Sequence, residues 1–203
     1  MPQLLSNDEN VQEWLEIVQS DLKKHKTKLK LFQRNIKIGD SSISGYFSHE
    51  EKAIVLNSKK PFLDLLVHEY NHFRQAVEIP DQFHEWLDGS VPIWDWMDGS
   101  YEFPSPKDKN YAFNCIINLE RDCEIRSINM IQEYSLPIDI GEYSKIAWIY
   151  INYYNYARKH RTWFRDDVKL SDIKEFNNIE ISFEGKMNRL SREMEEIFAK
   201  YSK

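Results

Sequence analysis

The sequence predicts an α+β fold in which a small N-terminal sheet precedes a series of helices. Between residues 28 and 56, short apolar runs alternate with polar residues and are separated by turn residues, a pattern typical of strands. From residue 62 onwards, apolar residues recur at three- and four-residue intervals, which is the spacing of one helix face. A chain of 203 residues can bury a core of its own, so we predict a single domain over 1–203.

The N-terminal part is predicted to contain one helix and the sheet. Ser6 and Glu9 form a capping box ahead of apolar residues that share one helix face, namely Val11, Trp14, Leu15, Val18 and Leu22. The predicted sheet segments are strands within 28–38, a turn at 39–45, and a hairpin of 46–47 and 53–56 around the polar turn 48–52. We expect a small antiparallel or mixed sheet.

Four helices are predicted after the sheet. Pro61 begins the first, because proline suits a first helical turn. The predicted bounds are about 62–77, 109–133 and 144–163, with a last helix carrying Phe183, Met187, Leu190, Met194, Ile197, Phe198 and Tyr201 on one face. Residues 80–110 are rich in proline and tryptophan, and we predict an insertion there that forms a structured loop or lid, because its aromatic side chains must be covered.

Composition excludes several classes of protein. A net charge of −6, from 27 Lys and Arg against 33 Asp and Glu, argues against a nucleic-acid partner held through phosphates. There is no apolar run of about 20 residues, so no membrane partner is expected, and the first residues do not resemble a signal peptide. Cys115 and Cys123 would lie about 12 Å apart along one helix, too far for a disulfide. A reducing, cytoplasmic location is expected.

The strongest chemical signal is an H-E-x-x-H sequence inside the apolar helix predicted at 62–77. His68 and His72 are one turn apart and can bind one metal ion. Glu69 points about 100° away around the helix and can reach a water molecule at the metal without ligating it. The alternative is that the three side chains pair structurally on a partly buried face.

A third ligand is predicted on the helix at 109–133. Glu120 and Glu124 fall within the apolar stripe of that helix, and buried carboxylates need a partner. A metal ion with two imidazoles would stabilise them, and a catalytic zinc site needs three protein ligands. We favour Glu120 as the ligand with Glu124 orienting a histidine, while the opposite assignment and pairing with Arg or Lys both remain open.

These motifs carry a resemblance to a known family. The H-E-x-x-H helix followed by Glu120 and Glu124 resembles the gluzincin-type zinc metallopeptidases, in which a Glu on a later helix completes the site. Three segments look more closely like uncharacterised H-E-x-x-H proteins of tailed bacteriophages: 66–73 (Leu-Val-His-Glu-Tyr-Asn-His-Phe), 119–124 (Leu-Glu-Arg-Asp-Cys-Glu) and the Tyr-rich segment that ends at 161–163 (Arg-Thr-Trp). The resemblance implies a zincin-like fold with additional C-terminal helices.

The resemblance also implies an activity. A Zn²⁺ ion held by His68, His72 and Glu120 would polarise water and a peptide carbonyl, with Glu69 as the general base, so a peptide or protein is the expected substrate. For the oxyanion partner the candidates are Tyr150, Tyr153 and His160, of which we name Tyr153 as the predicted catalytic residue. In zincins the edge strand near 53–56 pairs with extended substrate. The alternatives are a catalytically inactive, zinc-stabilised phage protein that binds a host factor, and a metal-free interaction module.

Overall fold

The computed structural model describes residues 8–33, 36–38, 41–58, 62–165, 167–184, 187 and 190–203. The helices are α1 (Glu9–Lys24), α2 (Phe62–Glu78), α3 (Pro80–Ser90), α4 (Pro92–Asp98), α5 (Pro106–Glu133), α6 (Ile140–His160) and α7 (Arg192–Tyr201). The strands are β1 (Lys28–Phe32), β2 (Ile36–Ile38), β3 (Ser41–Ile43), β4 (Gly45–Ser48) and β5 (Ala53–Asn57). Two short 3-10 helices occupy Leu170–Asp172 and Lys174–Asn178. The predicted α+β class is confirmed.

The described strands form a mixed three-stranded sheet and a separate two-stranded pair. The larger sheet has the order β1-β5-β4, with β1 parallel to β5 and β4 antiparallel to it. All five residues of β5 are buried, as expected for a central strand that is covered on both faces. The predicted hairpin is therefore confirmed as β4 and β5. The predicted turn at 39–45 was wrong for Ser41–Ile43, which pair with β2, while Gly39 and Asp40 lie outside the described residues.

The cap of α1 differs from the prediction. Asp8 is the N-cap residue, and its carboxylate accepts hydrogen bonds from the backbone N–H groups of Asn10 and Val11. Aspartate is among the best N-cap residues and also favours the positive end of the helix dipole. Ser6, the predicted cap, lies outside the described residues, as does Pro61. The predicted apolar face of α1 is buried as expected.

The structured loop predicted for 80–110 was wrong, because most of this segment is helical, whereas the lid stays a prediction. α3 begins at Pro80, α4 has Pro92 in its first turn, and α5 begins at Pro106. A proline in the first helical turn loses no hydrogen bond, since the N–H at that position has no partner within the helix. These prolines therefore mark helix starts. α4 ends at Gly99, which adopts the left-handed conformation (φ 93°) of a helix C-cap.

The last two helices are shorter at one end than predicted. α6 stops at His160 because Arg161 takes a left-handed backbone conformation (φ 51°) and turns its side chain onto Trp96. The guanidinium donates to the Trp96 carbonyl at 2.7 Å and lies 4.9 Å from the centre of its ring. α7 starts only after Ser191, whose hydroxyl caps it by accepting from the Met194 N–H. The predicted face residues Phe183, Met187 and Leu190 thus precede the helix.

The described residues divide into two compact units, one within Met1–Ile79 and Arg126–Ile140, the other within Pro80–Ile125 and Gly141–Lys203. In the first unit, α2 packs on β4 and β5. Tyr70 meets Trp14 edge-on and stacks on Phe73, and its hydroxyl donates to Asp21 at 2.8 Å. Burial and the Asp21 carboxylate raise the pKa of Tyr70, so the phenol stays protonated and holds α1 on α2.

The second unit has an aromatic core between α6, α7 and the segment that joins them. Tyr153 stacks on Phe164 with ring centres 3.6 Å apart, and Phe198 meets Tyr153 edge-on. Phe164 forms an antiparallel bridge with Ser202. None of the helices in the described part of either unit combines the length and apolar character needed to cross a bilayer.

Gly45, at the start of β4, provides a test of the packing in the first unit. A Cβ atom there would lie 2.7 Å from Leu56 Cδ2 and 3.1 Å from the Val55 carbonyl oxygen. Gly45→Ala should therefore reduce the free energy of unfolding by about 1–3 kcal/mol, as overpacking does, measured by urea denaturation. Leu56→Val removes the closest atom, so the penalty should be smaller in that background. An equal penalty in both backgrounds would contradict the proposed clash.

Candidate metal centre

Helix α2 presents different side chains on its different faces. Leu66, Val67, Tyr70 and Phe73 are buried in the first unit, which fixes the rotation of the helix about its axis. His68 and His72 lie on another face, where each is partly exposed. The helical repeat of 3.6 residues separates the buried apolar residues from the two histidines. The predicted helix that carries the H-E-x-x-H sequence is confirmed as α2.

The two histidines are close enough to share a metal ion. Their Nε2 atoms are 3.1 Å apart and their rings are nearly perpendicular, with an interplanar angle of 89°. Two nitrogen ligands of a tetrahedral zinc ion, each about 2.0–2.1 Å from the metal, would be about 3.3 Å apart. The separation of the two Nε2 atoms is therefore compatible with two ligands of one metal ion.

Glu69 lies on the side of α2 that faces strand β4. Its side chain is 7% exposed, and its Cγ would be 3.5 Å from a Cβ atom placed on Gly45. The absence of a side chain at Gly45 thus lets the strand approach the glutamate closely. β4 is an edge strand of the larger sheet. β5, the strand at 53–56, is paired on both sides, so the edge strand in this region is β4, and its pairing with substrate stays a prediction.

The predicted carboxylates of α5 are buried in the second unit. Glu120 is 9% exposed and Glu124 is 6% exposed, which confirms that they belong to the apolar face of the helix. On α6, the Tyr154 hydroxyl donates to the Tyr150 hydroxyl at 3.3 Å. Burial, Tyr150 and the Glu120 carboxylate all raise the pKa of Tyr154 well above its usual value. Tyr154, which sequence reasoning missed, therefore remains a hydroxyl donor near Glu120.

His68 and His72, which lie in the first unit, and Glu120, Cys123 and Glu124, which lie in the second, all carry side chains of the kinds that bind metal ions. Imidazole, carboxylate and thiolate are all ligands that zinc accepts. Cys123 was considered at the sequence level only as a disulfide partner. Its place on α5, between Glu120 and Glu124, was the signal that could have identified it. The predicted combination of His68, His72 and Glu120 stays a prediction.

Tyr153, the predicted oxyanion partner, lies in the aromatic core of the second unit. It has no exposed surface, and its hydroxyl is 2.6 Å from the Ser202 hydroxyl. Burial raises its pKa to about 12, although the hydrogen bond with Ser202 opposes this shift. These contacts favour a packing role for Tyr153. Of the other two candidates, Tyr150 is next to Tyr154, whereas His160 stacks on Tyr156 at the exposed end of α6.

Within the first unit, α2 is fastened to the last turns of α5. The Asn71 amide, which is buried, donates to the Val67 carbonyl at 2.9 Å and to the Ser127 hydroxyl at 3.2 Å. At the end of α2, Glu78 accepts from Arg126 at 2.5 Å and from Arg74 at 2.6 Å. The buried hydrogen bond between Asn71 and Ser127 and the ion pair between Glu78 and Arg126 thus fix where α5 meets α2.

Comparison with protein-family models, with curated proteins and with solved structures found no match for this chain.

The Glu78 carboxylate should make stability depend on pH. Burial raises its pKa, but the hydrogen bonds from Arg126 and Arg74 outweigh this effect and hold it below the ordinary value of 4.5. A carboxylate with a lowered pKa stabilises the folded state above its unfolded-state pKa, and this contribution is lost as the pH falls through the folded-state value. We expect Glu78→Gln to cost about 0.5–1 kcal/mol at pH 7, because the pair is partly exposed.

That cost should disappear at pH values below the lowered pKa, measured by urea denaturation across the acid range. Glu51→Gln, which removes an exposed partner of Lys30, is the matched control. A difference between wild type and Glu78→Gln that does not depend on pH would contradict the ion pairs.

Proposed function

We propose that the protein is a zinc-dependent metallopeptidase with a zincin-like arrangement of strand and active-site helix. The observation that carries the proposal is the pair of imidazoles on α2, whose Nε2 atoms are 3.1 Å apart, with Glu69 buried beside them. Two histidines one turn apart with a glutamate after the first are the arrangement that hydrolytic zinc sites use.

The position of α5 supports a carboxylate as the third ligand. Ser127, which accepts a hydrogen bond from Asn71 of α2, follows Glu124 by three residues and Glu120 by seven. Residues at these spacings share one face of a helix, so Glu120, Glu124 and Ser127 lie on the same face of α5. We keep Glu120 as the proposed ligand and Glu124 as its neighbour that orients an imidazole.

The roles of the protein side chains follow from their chemistry. A bound zinc ion would supply a Lewis acid that polarises water and the scissile carbonyl. Glu69 takes a proton from the attacking water and passes it to the leaving amine. Tyr150, whose hydroxyl is close to that of Tyr154, is the candidate that now fits best as hydrogen-bond donor to the oxyanion. The outer edge of β4, which no described strand pairs, offers backbone groups to an extended peptide next to Glu69.

Replacing the general base tests the reaction. Glu69→Gln should lower hydrolysis of a peptide library by on the order of 10²–10⁴-fold, because the amide cannot accept the proton. Zinc content, measured by mass spectrometry of the purified protein, should stay near that of wild type. The control is Glu133→Gln, since Glu133 is exposed at the end of α5.

The outcomes separate the candidate functions. Activity that survives Glu69→Gln would refute the proposed mechanism. Bound zinc without turnover in wild type would favour a non-catalytic, metal-stabilised binding protein, and protein without zinc would favour a metal-free interaction module.

Zinc affinity should identify the third ligand. We expect Glu120→Gln to weaken zinc binding most, because it removes a bond to the metal, and Glu124→Gln to weaken it about 10–100-fold. Cys123→Ser should have little effect, and Glu133→Gln serves again as the control. Affinities are measured by competition with a chromogenic chelator. If Cys123→Ser causes the largest loss, the third ligand is the thiolate, and the assignment of Glu120 is wrong.

A further inference from the structure

A glutamine on α2 contacts one of the two imidazoles directly. Gln75 follows His72 by three residues, so the two side chains share a face of the helix. Its Oε1 atom lies 2.8 Å from Nδ1 of His72. Gln75 has no exposed surface at all. A fully buried amide has few alternative positions, so this contact is a fixed part of the centre.

The contact determines where the proton of the His72 ring resides. An amide oxygen can only accept a hydrogen bond, so Nδ1 must donate, and a neutral imidazole then has no proton on Nε2. The Nε2 atom of His72 is 3.1 Å from Nε2 of His68. In the metal-free protein that second contact is a hydrogen bond only if His68 donates. The nitrogen of His72 that faces His68 therefore presents a lone pair.

We propose that Gln75 is a positioning residue that holds His72 in the Nδ1–H tautomer, with the Nε2 lone pair directed at the metal position. The statement that the lone pair is directed at a metal rests on the proposed function. The assignment of the tautomer rests only on the contact between Gln75 and His72. Glutamine suits the role because it accepts the hydrogen bond without placing a second negative charge in a buried site, which would be costly. Ligating histidines commonly need such a partner at their other nitrogen to fix the ring.

Nitrogen NMR of metal-free wild type tests the tautomer without any substitution. With ¹⁵N-labelled histidine, at a pH where both rings are neutral, His72 should show a protonated Nδ1 and an unprotonated Nε2. His68 should show a protonated Nε2 before zinc is added and an unprotonated Nε2 afterwards. A His72 ring protonated at Nε2 would overturn the proposal, since it would mean that the Gln75 amide is turned and donates to the ring.

Variants at Gln75 separate positioning from packing. Gln75→Leu keeps a similar volume but has no acceptor, so zinc affinity should fall about 10–100-fold. Gln75→Glu restores the acceptor and should return zinc affinity to within about threefold of wild type or better. Gln132→Leu, at an exposed position of α5, is the control and should match wild type.

Each outcome decides a different point. Equal zinc affinity in wild type and Gln75→Leu, or no rescue by Gln75→Glu in a folded variant, would overturn the positioning role. If His72 has the expected tautomer but wild type binds no zinc, the hydrogen bond of Gln75 stands and the metallopeptidase proposal fails.

Discussion

The hydrogen bonds of the Asn71 side chain are the constraint on which the arrangement of the candidate metal centre depends. A buried amide without partners would cost about 1–3 kcal/mol, and Asn71 is 1% exposed. Its bond to the Val67 carbonyl lies within α2, and its bond to Ser127 sets the part of α5 that meets α2. Asn71 is a variable position of the H-E-x-x-H pattern, yet in this protein its buried side chain joins α2, which carries both histidines, to α5.

The features that could be predicted from the sequence are those that depend on neighbours along the chain. The helical repeat placed His68 and His72 on one face, and the same repeat placed Glu120 and Glu124 on the buried face of α5. Both results need only the fixed rotation per residue and the rule that apolar faces are covered. The β4–β5 hairpin was predictable for a similar reason, since its polar turn separates two short apolar runs.

The features that could not be predicted depend on partners far away in the chain or on residues that suit two kinds of local structure. Whether β5 is an edge or a centre is decided by its pairing with β1, which alternation of residues does not specify. Pro80 and Pro92 are as suited to the first turn of a helix as to a loop, and the aromatic residues around them favoured the wrong choice. The proximity of Tyr154 to Glu120 depends on how α6 packs, which periodicity alone leaves open.

The sheet order also has a consequence for how the first unit assembles. β4, β5 and α2 are consecutive along the chain, and they contact one another directly. Closing short loops costs little chain entropy, whereas β1 can join β5 only after the intervening residues have been brought together. The segment with the lowest entropic cost of formation therefore includes Gly45, Glu69 and both histidines. Most of the machinery for the proposed chemistry lies in the part of the unit that can fold first.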